Sequence, residues 1–165
     1  EMAWRMAMER TDGPTVLALT RQGLPVYAKA DPQWRASIRH GAYAVKDCAG
    51  TPDLVIMATG SEVSVALQAA AAMADRKVRV VSVLSRGLMA RMPRAERERL
   101  VPAGVKKVVF EAGVTFGWSS MFHDDMLAVG IDRFGESAPY QKIAEHLGIT
   151  AASLEKRIRE WTGTP

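Results

Sequence analysis

An α/β fold is what this sequence predicts: a three-layer α/β/α sandwich around a five-stranded, mostly parallel sheet whose first strand runs antiparallel. Three observations carry that expectation. Continuous apolar runs rich in branched residues recur at residues 53–58 (DLVIMA), 78–83 (VRVVSV) and 105–110 (VKKVVF), as strands buried on both faces require. Between the first two lies a segment of helical apolar spacing, and strands joined through a helix form a right-handed parallel crossover. By contrast, residues 42–47 (AYAVKD) alternate like an edge strand and are separated from the next run by residues 48–52 alone. No crossover helix fits there, so that first pair is expected to be antiparallel.

Residues 1–10 (EMAWRMAMER) place Trp4 and Met8 four apart and read as the last turns of a helix, stopped by Asp12, Gly13 and Pro14. A helix already under way at Glu1 suggests a fragment of a longer chain. Residues 15–20 (TVLALT) are expected to be a buried strand that delivers Arg21 at its carboxyl end. In open parallel sheets ligands bind beyond the carboxyl ends of strands, which makes Arg21 a candidate anion contact. Its guanidinium can hold two oxygens of a phosphate at once. A surface arginine paired with a nearby carboxylate is the alternative, and position alone does not separate the two. From residue 26 the periodicity fades, and Asp31-Pro32 with scattered charge reads as a surface linker containing a short helical turn over 33–38. The expected organisation is therefore a remnant of one domain at 1–25, a linker at 26–40 and a complete domain at 41–165.

The central unit is built from the strand at 53–58, a turn at Thr59, Gly60 and Ser61, and a helix. Thr59 stands three residues before Glu62, the spacing of a capping box. Val63, Ala66, Leu67, Ala70, Met73 and Ala74 fall on one helical face. Residues 84–93, with their glycine, proline and arginines, read as an irregular loop, and 94–100 as a short charged helix. The strand at 105–110 reaches Glu111, and 118–122 is expected to form a brief helix with Trp118 and Phe122 in the core. Asp124 and Asp125 break the chain before a fifth strand at 126–131. Side chains at adjacent positions diverge, so a chain break is a better account of that pair than a metal site. Pro139 suits the first turn of a helix at 140–147, which Gly148 closes. Thr150 caps a last helix whose inward face is Leu154, Ile158 and Trp161.

With 165 residues and 48% hydrophobic composition, the chain can bury a full core. No apolar run approaches the roughly 20 residues of a membrane span. A single cysteine, Cys48, cannot form an internal disulfide, which fits a reducing, cytoplasmic setting. The formal charge of +4 is dispersed among acidic residues, without the aromatic and basic interleaving of a nucleic-acid surface. His40 has no second histidine or cysteine at metal-binding spacing and reads as a solvated side chain. Glu62, Glu111 and Glu136 each follow a strand, but each is expected to serve structure or face solvent. Ser61 lacks the flanking glycines of a nucleophile elbow. There is no dinucleotide fingerprint and no phosphate-cradling loop with its lysine.

Three separated blocks change the reading. LALTRQGLP, ATGSEVSVAL with VRVVSV behind it, and RFGESAPY followed by HLGIT resemble the C-terminal region of the transketolase family, in the same order and at similar spacings. TRQGLP together with FGESAP is closer to transketolase than to deoxyxylulose-phosphate synthases or the beta subunits of 2-oxo-acid dehydrogenases. Residues 82–102 depart from the family's usual run. The resemblance implies a transketolase C-terminal-domain fold and a transferase. In the intact enzyme it implies two-carbon ketol transfer between phosphorylated sugars of the pentose phosphate pathway, with thiamine diphosphate, a divalent metal (Mg or Ca) and a homodimer. Arg21 matches the arginine of the family's S/T-R-Q motif, which contacts the sugar phosphate. The metal motif, the pyrimidine-activating glutamate and the substrate-facing histidines lie upstream in the family. The fragment alone is accordingly expected to bind no cofactor or metal and to catalyse nothing. The competing expectation is a stand-alone anion- or nucleotide-binding module, using residues 60–62 or 135–138, or a structural interaction domain.

Overall fold

The computed structural model describes residues 1–122 and 125–163. Helix α1 (Met2–Glu9) and an extended segment lead to a short helix α2 (Trp34–Ser37) and a 3-10 turn (Ile38–His40). The sheet strands are β1 (Ala42–Lys46), β2 (Leu54–Thr59), β3 (Val78–Val83), β4 (Lys106–Phe110) and β5 (Met126–Val129). Helix α3 (Glu62–Ala72) links β2 to β3, α4 (Arg86–Ala90) and α5 (Arg94–Leu100) link β3 to β4, and α6 (Tyr140–Leu147) and α7 (Ala151–Thr162) follow β5.

Strand order is β1-β3-β2-β4-β5, with β1 antiparallel to β3 and every other pairing parallel. Alternation along each strand divides the core in two. Leu54, Ile56, Val78, Val80, Val108 and Phe110 face one side, where Val63, Ala66, Ala70, Leu154 and Ile158 of α3 and α7 cover them. Val55, Met57, Val81, Val83 and Val109 face the other, under Met89, Leu100, Trp118 and Phe122. Burial on both faces explains why these strands read as continuous apolar runs. The free edge at β1 is partly covered: the Ala30 and Asp31 amides donate to the Val45 and Ala44 carbonyls, both at 3.3 Å. Buried Asp31 anchors that crossing, accepting from the Gln33 amide at 2.8 Å and the Ser37 hydroxyl at 2.7 Å.

Five local expectations are corrected. First, β1 lies beside β3 and not beside β2. Residues 47–53 step across the start of β3, where the Lys46 ammonium donates to the Val78 carbonyl (3.0 Å) and Arg79 to the Asp47 carboxylate (2.8 Å). The step is about 10 Å, two strand spacings, which a few extended residues span. Second, residues 15–20 form no strand and are exposed apart from half-buried Leu17, because no neighbouring strand is placed to pair with their backbone. Third, the capping box does not form: Thr59 is still in the ladder opposite Val83, and the Glu62 carboxylate accepts from the Ser61 hydroxyl at 2.7 Å. Fourth, residues 84–93 contain α4, capped by the Ser85 hydroxyl oxygen accepting from the Leu88 amide. Fifth, residues 118–122 are turns, although Trp118 and Phe122 are both buried as core. Asp124, half of the paired aspartates, lies outside the described residues.

Candidate functional site

Arg21 sits at the crest of a bend in the exposed segment after residues 15–20. The bend is closed by its two neighbours. The Thr20 hydroxyl oxygen accepts from the Gln22 amide at 3.2 Å, and the same hydroxyl donates to the Gln22 side-chain carbonyl. A threonine bonding the residue two positions on is a local turn device, and it leaves the Arg21 side chain exposed at the corner. The segment is tied to the sheet through α1. Arg39 grips the Glu9 carboxylate with both arms of its guanidinium, at 2.7 and 3.2 Å. Hydrogen bonds from Arg39 and then Arg5 pull the Glu9 pKa down to about 2. Beyond α1, Arg10 donates to Asp12 and to the Pro14 carbonyl, both at 2.9 Å. Between this segment and the domain lies a cleft of ≈ 510 Å³ lined by Met6, Leu17, Leu84 and Leu88 among others.

At the carboxyl edge of the sheet the three candidate glutamates do not converge into an acid-base pair. Glu62 is buried against Ser61 at the start of α3. Its carboxylate occupies the helix N-terminus with negative charge, which disfavours an anion at the Gly60 turn. Glu111 accepts from the buried Trp118 indole N–H at 2.7 Å. Glu136 is exposed and accepts from Arg133, with the His146 ring 3.2 Å away. That engages residue 136 of the loop 135–138 in an ion pair with Arg133. Asp132 accepts from the Thr115 amide at 2.7 Å and the Thr115 hydroxyl at 2.8 Å, and these bonds hold its carboxyl below the usual range. The loop 113–116 is thereby fixed to the end of β5, and Arg86 secures its other side by donating to the Phe116 carbonyl at 2.7 Å.

Among the described residues no three of His, Cys, Asp and Glu come together in a way that would hold a metal ion, and no helix is long and apolar enough to cross a membrane. His40 faces Glu96 at 3.3 Å instead, and Cys48 is half-buried beside Asp47.

The fold and motifs together match a family described as the transketolase-like TK C-terminal domain, over residues 41–150. The chain belongs to the transketolase family. It is similar to a transketolase of Treponema pallidum, 40% identical over 162 residues that cover 96% of this chain and 24% of the relative. Among solved structures, a transketolase from Leishmania mexicana superposes with a TM-score of 0.86 at 38% identity, covering 96% of this chain and 23% of that one. A Pichia stipitis transketolase, solved in complex with sedoheptulose 7-phosphate, superposes with a TM-score of 0.83 at 28% identity over 99% of this chain and 24% of its own. The chain therefore spans about a quarter of the length of these relatives. The side-chain bonds across Arg21 were not among the expectations from sequence. The signal was there in the threonine and glutamine flanking it, the spacing of a side-chain turn.

Proposed function

We propose that this chain is the C-terminal region of a transketolase whose assembled enzyme transfers a two-carbon ketol unit between phosphorylated sugars. One observation supports this above the rest: 40% identity to a transketolase, held over 96% of the chain. In the assembled enzyme thiamine diphosphate supplies the electron sink for carbon–carbon cleavage, with a divalent metal, Mg or Ca, as its anchor. The family resemblance puts the residues that hold both in domains upstream of the region this chain matches. The pentose phosphate pathway, a homodimer and the cytoplasm are the setting that the family implies. Residues 1–25 are the end of the pyrimidine-binding domain, 26–40 a linker and 41–165 the C-terminal domain.

Within that enzyme Arg21 holds the phosphate of the sugar. The contact lies at the end of the substrate remote from the bond being broken, so it strengthens the ground and transition states alike. The sedoheptulose 7-phosphate complex of the Pichia stipitis relative agrees with phosphorylated sugars as the substrate class. The test is a chimera in which this chain replaces the corresponding C-terminal quarter of the Treponema pallidum transketolase. Two-carbon transfer by the chimera, with none from the chain alone, is the expected result. A folded chimera that binds thiamine diphosphate and transfers nothing, or turnover by this chain unaided, would overturn the reading. In the active chimera, Arg21→Ala raises KM for phosphorylated sugars about 10- to 100-fold, the worth of a charge-assisted hydrogen bond, with a smaller change in kcat.

A further inference from the structure

We infer that Thr20 is a positioning residue for phosphate recognition, clamping the bend on which Arg21 stands so that its guanidinium is presented ready for the anion. The inference rests on the reading of Arg21 as the phosphate contact. Thr20 spends both hydrogen-bonding capacities of its hydroxyl on Gln22, accepting from the backbone amide at 3.2 Å and donating to the side-chain carbonyl. Two consequences follow for the residue between them. The first bond spans Arg21 and limits the backbone freedom of the bend. The second turns the Gln22 side-chain oxygen toward Thr20, across the bend from one neighbour of Arg21 to the other. Without the hydroxyl both bonds are lost and the bend loosens.

Such a clamp acts by preorganisation. Ordering a flexible cationic side chain on binding has an entropic cost, and a bend set beforehand avoids part of it. The effect belongs to the phosphate alone, because Thr20 acts through Arg21 and has no place in the carbon–carbon chemistry.

The experiment compares Thr20→Val, Thr20→Ser and Arg21→Ala in an active transketolase carrying this chain. Each is assayed with a phosphorylated aldose acceptor and with the same sugar lacking its phosphate. Thr20→Val keeps the shape and removes both bonds; it should raise KM for the phosphorylated sugar about 3- to 10-fold, leaving kcat and the unphosphorylated sugar's KM unchanged. Thr20→Ser keeps the hydroxyl and should restore the wild-type KM. If Arg21→Ala raises the phosphorylated sugar's KM while Thr20→Val does not, the clamp is wrong and the assignment of Arg21 stands. If Arg21→Ala leaves that KM unmoved, both fall. Should Thr20→Val change KM equally for the two sugars, its role is a general structural one, and the inference is overturned.

Discussion

Single atoms decide much of the carboxyl edge. Gly130 follows β5 where the chain turns under the loop 113–116, and a Cβ built there would stand 2.5 Å from Thr115 Cγ2 and 2.6 Å from the Gly113 carbonyl oxygen. A backbone oxygen cannot swing aside as a flexible side chain can, so Gly130→Ala should cost about 1–3 kcal/mol, the range for overpacking. Urea denaturation of wild type and variant measures it directly. Beside it, Asp132 offers a pH-dependent contact. Its folded pKa is depressed below 3.8 by the two Thr115 donors, so the unfolded chain binds the proton more readily. The contribution of that carboxylate is complete above 3.8 and is lost as pH falls through the lower folded value. The Thr115 amide proton resonance should therefore titrate with a midpoint below 3.8, and in Asp132→Asn that transition should disappear. A midpoint above 3.8 would mean that the hydrogen bonds do not favour the ionised form.

Elements carry the next set of expectations. Helix α7 buries Leu154 and Ile158 fully against the sheet, and Thr150 caps it by accepting from the Ser153 amide at 3.2 Å. Leu154→Ala should cost about 2–5 kcal/mol through lost burial and a residual cavity. Thr150→Ala should cost about 1 kcal/mol. Both can be read from chemical unfolding midpoints at constant slope. This helix was legible in the sequence because its cap and its apolar spacing agree with one another. The strands were legible for a similar reason, since a buried parallel strand leaves little choice but a branched apolar run. Helix α4 was not, because Gly87 and five residues give too little periodicity to outweigh its surroundings, and Ser85 alone marks its start. Strand neighbours were also beyond reach. Nothing in AYAVK names β3 as its partner, and the pairing depends on where residues 47–53 cross. Residues 15–20 show the limit most plainly: their composition is that of a strand, yet a strand exists only where another backbone meets it.

At the scale of the whole molecule, the sequence reached the architecture, and it offered Arg21, the proposed phosphate contact. It did not reach the network around them. The Glu9–Arg39 grip, the Asp132–Thr115 pair and the Thr20 clamp join residues through geometry that apolar periodicity does not encode. The family match begins at residue 41, but residues before it pack along the edge of the sheet. Ala30 and Asp31 lie along β1, and Asp31 itself is almost wholly enclosed. A polypeptide trimmed to start at 41 would bare the outer rim of the sheet and turn it into a template for other chains. Gel filtration should show it forming concentration-dependent larger species, whereas one starting at residue 27 keeps its rim shielded and elutes earlier only to the extent that its extra mass requires. The short stretch before the recognised boundary is thus a guard against self-association, and trimming it away would cost solubility before it cost the fold.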